Sequence, residues 1–450
     1  FAHHALRQQA AIALRHDDMA QGLAKKMSAL SASDRASQAE QAPLWGVPFA
    51  LKDLGIALKD TVTTQGCAFF KDAVADHDST LAQRYQAAGL NIFAKTTSPE
   101  FGQTATTESR LFGLTRNPWN LDMSAGGSSG GAAAAVAAGI LPVAHASDGG
   151  GSIRIPASHC GLLGLKPSRG LVPMGPKMLE GWLGLSAQNV ISRSVRDTAL
   201  LLQRTQGPEA GGRSGPQAGD LMDALAQPPK PLRIALMLQN PFGGPVHQDC
   251  LDAVQAAARY CESLGHVVEI AAPKLAIGDM FASMGVATAV GMLTTVKLRE
   301  QAIGRAARED EFEPLNWRSL QLARSFSAEQ AFMARLVFDQ AARTLDLFLA
   351  DYDLILSPVT SAPAPELGAM SLDQPYEDFV KVAMTASPFT AMFNMSGHPA
   401  MSVPLHWNAQ GMPIGAQFAG RFGAEATLLA LAAQLEQAAP WKDRRPQMTP

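Results

Sequence analysis

The sequence predicts an α/β protein with a layered core, and two observations carry that prediction. Short apolar runs of strand length alternate with longer segments of helical period along the chain. Hydrophobic residues fill 47% of 450 positions and charged residues only 17%, enough apolar material for a large buried core and far from a disordered composition. Length alone would allow two or three domains, but one α/β core of this size is common, and a single domain over 1–450 is the expectation.

The elements follow in order. Residues 1–30 read as an amphipathic helix, Ala-rich, with His, Arg and Lys on one side. Residues 31–43 are polar and read as a loop. Leu44 to Lys52 read as a short buried strand ending at Lys52. Residues 78–89 form a helix, with Asp78 or Ser79 as N-cap and Gly89 past its end. Strand 91–94 follows, then helix 132–138, strand 141–146 and helix 153–161, with Pro156 near its start. Arg193 to Asp197 open a helix over 198–203. The Gly-, Pro- and Ser-rich stretch 207–230 is a linker or surface loop. Beyond it lie strand 232–238, helix 248–264 and a mostly helical region, 280–348, expected to cap the core. Strands 354–357, 401–404 and 414–418 and a helix over 425–436 complete the chain.

Bulk properties exclude several functions. A net charge of −3, from 37 basic and 40 acidic residues, predicts neither a nucleic acid nor an anionic membrane as partner. Aromatics at 6% make a stacking platform for single strands a poor reading. Cys67, Cys160, Cys250 and Cys261 form no C-x-x-C pair, and four in this length fit reduced thiols of a cytoplasmic enzyme. No H-E-x-x-H occurs, and His3-His4 reads as an exposed helix face, so no metal is expected. No run of 18 apolar residues appears. The chain begins at Phe1 rather than Met, so an upstream segment is expected.

Chemistry concentrates in two glycine-rich serine loops, Gly126-Gly127-Ser128-Ser129-Gly130-Gly131 and Asp148-Gly149-Gly150-Gly151-Ser152-Ile153-Arg154. Glycine clusters permit positive φ and let main-chain N–H groups converge on one point. Ser152 is the candidate nucleophile. The N–H groups of Gly149, Gly150, Gly151 and Ser152 are the candidate oxyanion donors, and removing one such donor typically costs roughly 3–4 kcal/mol. A serine hydroxyl needs a neighbour to take its proton. His145 and His159 read better as core or surface histidines. Lys52 ends an apolar strand, where desolvation lowers its pKa and leaves part of it neutral. Ser128 can relay the proton, because a hydroxyl both donates and accepts.

Each piece alone has a plain explanation: a Gly-Ser cluster is ordinarily a loop and a lone lysine a surface cation. Gly126-x-Ser128-x-Gly130 fits a nucleophile elbow, but the turn composition of Asn117-Pro118-Trp119-Asn120 stands where that elbow needs a strand. The Gly-x4-Gly-Lys-Ser/Thr of a phosphate loop is absent.

The combination resembles the amidase signature family of serine amide hydrolases. GVPFALKD at 46–53, KTTSPEFG at 95–102, GGSSGG at 126–131, DGGGSIRIP at 148–156 and GLKPSRGLVP at 164–173 carry the resemblance. SPVTSAPAP at 357–365, FNMSGHPAMSVP at 393–404 and GMPIGAQ at 411–417 extend it. The resemblance implies a large mixed β-sheet between layers of helices. It implies Lys52 as catalytic base, Ser128 as the bridging serine after a cis peptide bond, and Ser152 as nucleophile, with no cofactor. Two departures stand out: Gly149, where members often carry Thr or Ile, and the missing start, where members have one or two more helices.

Supporting roles are expected for Asp148 and Arg154, which would lock the nucleophile loop by an ion pair. Gly127 would donate its N–H, and Ser129 would bond Lys52 or the loop backbone. Which of Thr106 and Thr107 faces the site is left open. In the family the segment after GLVP lines the substrate funnel, which points to Met174, Met178, Leu179 and Trp182 as contacts for an apolar group. Core packing explains these residues, and Met280, Phe281, Met284 and Met292, equally well. The tail WKDRRP at 441–446 and the spacing resemble the bacterial branch acting on 6-aminohexanoate oligomers, aryl amides and urethanes. The expected partner is a small amide substrate, with a homodimer as assembly. The rivals are a glutamine amidotransferase A subunit and a non-catalytic family member.

Overall fold

The computed structural model describes residues 10–212, 215–216 and 218–447. His3, His4 and the first part of the helix expected over 1–30 lie outside the described residues.

Eight strands form one mixed sheet in the order Val267–Ile270, Arg233–Leu236, Leu354–Pro358, Pro413–Gly420, Ala400–Trp407, Leu163–Lys166, Ala187–Ser192, Val143–Asp148. Arg233–Leu236 pairs parallel with both neighbours, and the remaining pairs are antiparallel. Successive side chains of a strand point to opposite faces, and both faces here are apolar. Leu354 and Leu356 pack with Val254 of helix Gln248–Ser263 and Leu428 of helix Glu425–Ala438. Ile355, between them, packs with Phe338 and Leu345 of helix Ala328–Phe348 on the other side. The sheet is thus sandwiched between helical layers, as the α/β reading and the resemblance implied.

A second sheet, of three strands, places Asn91–Thr96 between Ile12–Arg15 and Pro48–Lys52. Lys52 is its last residue on that strand and is fully buried. Helix Gly130–Ala137 packs against both sheets, and all eight of its residues are buried. Its small side chains let it fit among Ala50, Ala94, Ala144 and Ala146, which brings its N-cap, Ser129, against strand Val143–Asp148.

Several expected elements change. Residues 12–15 are a strand, and the helix begins only at Asp17. The expected loop 31–43 contains helix Ala32–Gln41, capped by Ser31, which accepts the Asp34 N–H. The strand expected from Leu44 begins at Pro48. Ser79 is the N-cap of helix Thr80–Ala87, yet its hydroxyl is committed to the Ala57 N–H. Within 207–230 lies helix Leu221–Ala226, and strands from both sides of that stretch share the large sheet.

The region 280–348 is helical as expected, in Ile277–Ile303, Pro314–Ala323 and Ala328–Phe348. Ile277–Ile303 is long and apolar enough to cross a bilayer by length and composition. In this fold its Met280, Ala287, Ala289, Met292 and Val296 are buried against the rest of the protein.

Candidate active site

Lys52 Nζ lies 2.7 Å from Ser128 Oγ, 3.1 Å from Ser147 Oγ and 3.5 Å from the Ser147 carbonyl. Burial lowers its pKa to about 7, with the Asp148 carboxylate working in the other direction. A substantial fraction is therefore neutral near pH 7 and able to accept a proton.

The Lys52 N–H donates to His145 Nδ1 at 3.0 Å, and His145 Nε2 lies 3.0 Å from Gln188 Oε1. Because Nδ1 accepts, the ring is neutral with its proton on Nε2. Burial lowers its pKa to about 3. His159 is also buried, its pKa lowered to about 4 by desolvation, and neither ring nitrogen finds a partner among the described residues. Neither histidine bonds Ser152, in keeping with their reading as core residues.

The first serine loop turns on Gly127–Ser128, a cis peptide. A β-carbon at Gly127 would strike the Thr106 backbone, so only glycine fits there. Thr107 Oγ1 donates to the Gly126 carbonyl at 2.9 Å and accepts the Gly130 N–H at 2.9 Å, bracketing the loop from outside. Ser129 Oγ bonds the Ser147 backbone rather than Lys52.

The second loop is held by a buried network. Arg154 Nε and Nη2 donate to the two oxygens of Asp148 at 3.0 and 2.9 Å, with both side chains wholly buried. This is a bidentate buried pair and not an exposed salt bridge. Burial alone would raise the Asp148 pKa, but the Arg154 guanidinium and the Ile153 N–H hold it well below the usual carboxylate range. Arg154 also donates to the Thr390 carbonyl, Gln417 Oε1 and Asn394 Oδ1. Asn394 Nδ2 returns bonds to the Asp148 carbonyl and carboxylate, at 2.9 and 2.8 Å.

One expected oxyanion donor is spent. The Gly151 N–H donates to Asp148 Oδ1 at 2.7 Å, because the carboxylate reaches back over the turn. The expected set of four narrows to Gly149, Gly150 and Ser152. The Gly150 carbonyl is pinned by Thr390 Oγ1 at 2.7 Å.

Ser128 and Ser152 line one cavity of about 470 Å³, together with Met174, Met178 and Trp182. Met174, Met178 and Trp182 therefore share a cavity with the serines, whereas Leu179, also expected as a contact, is exposed and lies outside that cavity. Met284 and Phe281 line an adjoining cavity of about 380 Å³ that also touches Ser152. Met280 belongs to the core instead. Sequence reasoning did not single out Ser147, Asn394, Gln417 or Thr390. The last three come from near or within the late FNMSGHPAMSVP and GMPIGAQ stretches, whose only signal was their match to the family pattern. No group of three or more candidate metal ligands occurs among the described residues.

A sequence model of the amidase family matches residues 10–429. The 6-aminohexanoate-cyclic-dimer hydrolase of Paenarthrobacter ureafaciens is 37% identical over 431 residues, covering 92% of this chain and 87% of that protein. A solved structure of 6-aminohexanoate cyclic dimer hydrolase superposes with a TM-score of 0.91 at 33% identity, covering 99% of this chain and 92% of the other. A bacterial aryl acylamidase structure gives a TM-score of 0.85 at 28% identity, over 97% of this chain and 90% of that one.

Proposed function

This chain belongs to the amidase family, and from that premise we propose that it hydrolyses neutral carboxylic amides through an acyl-enzyme on Ser152. One observation carries the reading: a wholly buried lysine with a pKa near 7, 2.7 Å from a serine that shares a cavity wall with a second serine.

Neutral Lys52 accepts the proton of Ser128 as Ser128 takes that of Ser152. Ser152 Oγ attacks the carbonyl carbon, and the N–H groups of Gly149, Gly150 and Ser152 receive the oxyanion. Ser128 then protonates the leaving nitrogen, the C–N bond breaks and the acyl ester remains on Ser152. Water resolves the ester by the reverse relay. Every proton passes among Lys52, the two serines, the leaving nitrogen and the attacking water, so the cycle calls for no cofactor.

The cavity supports the substrate class. Its charged lining residues are Asp148 and Lys177, and these are bound to Arg154 and to Asp76. A zwitterion such as free glutamine would have to compete with Asp76 for Lys177, whereas a cyclic oligoamide, an anilide or an aryl carbamate is neutral. The names of the similar proteins favour the first two of these. The four cysteines are free and buried, which fits a reducing compartment such as the cytoplasm.

The test is mass-spectrometric product detection on a primary aliphatic amide, an anilide, the cyclic 6-aminohexanoate dimer, an aryl carbamate and glutamine. Wild type is run beside Ser152→Ala. Turnover of a neutral secondary amide, abolished in the variant, is the expected result. Turnover of glutamine alone would hand the protein to the amidotransferase reading.

A further inference from the structure

Two cavities meet at Ser152. The larger is walled by Ser128, Gly149, Met178 and Val290, the smaller by Gly150, Phe281, Met284 and Phe379. Gly102, Ser152 and Trp182 belong to both, so the indole of Trp182 stands on the ridge between them.

Two glycines far apart in sequence make room for that ring. A β-carbon at Gly149 would lie 2.7 Å from Cζ3 on the six-membered ring, and one at Gly291 would overlap Cδ1 on the five-membered ring. The indole therefore bridges the nucleophile loop and helix Ile277–Ile303, with no space for a side chain at either contact. Its own backbone is unusual: Trp182 has φ 53° and Leu183 φ 54°, the left-handed region that bulky residues rarely occupy. Arg335 Nη1 donates to the Leu183 carbonyl at 3.0 Å and Arg169 Nε to the Gly184 carbonyl at 2.6 Å, fixing the turn. The glycine at 149, one of this chain's departures from its family pattern, thus has a steric cause.

We propose that Trp182 is a specificity wall that holds the two arms of a neutral amide in separate compartments. This rests on the amide-hydrolase reading above. Ser128 protonates the leaving nitrogen and lines only the larger cavity, so the amine arm lies there. The carbonyl carbon sits at Ser152 on the ridge, and the acyl arm enters the smaller, aromatic cavity. Among the described residues lining the smaller cavity none is charged, and the two charged ones in the larger are already paired. The substrate class is therefore an amide with an apolar group on each side of the scissile bond. Hydrolysis of the C–N bond by one water gives a carboxylic acid from one compartment and the free amine from the other.

Two matched anilide series test this, one lengthening the acyl group on a constant aniline, the other enlarging the amine on a constant acetyl group. Values of kcat/KM are measured for wild type, Phe379→Trp, Val290→Trp and Gly291→Ala, with Tm beside them. Phe379→Trp should lower the largest acyl members about tenfold or more relative to the acetyl member and spare the amine series, and Val290→Trp should do the reverse. Gly291→Ala improves helix propensity yet displaces the ring, so both ratios should move while the protein stays folded. Flat ratios, or equal losses in both series, would overturn the partition alone. A wild-type enzyme that cleaves no amide would instead overturn the reading beneath it.

Discussion

At the residue scale the proposed mechanism turns on the charge state of Lys52. Its folded pKa is lowered, so the working form is neutral and exists above about pH 7. The kcat/KM of a neutral amide should therefore be level at higher pH and fall as pH drops through 7, by about tenfold per unit. A pH–rate profile with a neutral substrate checks this, since the substrate contributes no titration. A limb centred near 4 would point to a carboxylate base and remove Lys52 from the role. Ser128, Ser152, Asp148 and Arg154 were legible in the sequence because glycine-rich loops announce where a backbone converges, and Lys52 because it ends an apolar strand. The spent N–H of Gly151 was not: which amide a carboxylate captures depends on the turn actually adopted. Ser147 was equally hidden, as an ordinary strand residue until Lys52 is placed against it.

At the element scale, the loop that carries Ser152 is gripped by helix Ala391–Ser396 through one side chain. Asn394 accepts from Arg154 and donates to the Asp148 carbonyl, the Asp148 carboxylate and the Leu185 carbonyl, all of them buried. Asn394→Leu takes one hydrogen-bond partner from each of these buried groups, although Arg154 and the Asp148 carboxylate keep others, and a buried polar group left unsatisfied costs about 1–3 kcal/mol. We expect a lower Tm and a loss in kcat that exceeds any change in KM, because the loop presents the proposed oxyanion donors. Urea unfolding and steady-state kinetics on the purified variant measure both, and an unchanged kcat would show that the loop holds its shape without the helix. Sequence periodicity is silent on such a contact. It also misjudged residues 12–15, where pairing with Asn91–Thr96 overrides a helical local pattern. Helix Ala32–Gln41 escaped for another reason: it buries no residue, so it carries no apolar stripe to read.

At the scale of the whole molecule, the question is whether 207–230 separates two bodies. Its composition says boundary, but the hydrogen bonds cross it. Strand Leu163–Lys166, before the stretch, pairs with Ala400–Trp407, after it. The network around Ser152 crosses it too, joining Asp148 and Arg154 to Asn394 and Gln417. Neither half could keep its sheet edge or its buried guanidinium satisfied alone. A protease site inserted after Gly211 and then cut should therefore leave both fragments together on native size exclusion, with anilide turnover retained. Thermal unfolding should remain one transition. Its midpoint should fall, because the cut chain gains freedom on unfolding that the intact chain lacks. Fragments that part without denaturant, or two resolved transitions, would mean that the composition had marked a true domain boundary and that the shared sheet is the weaker bond.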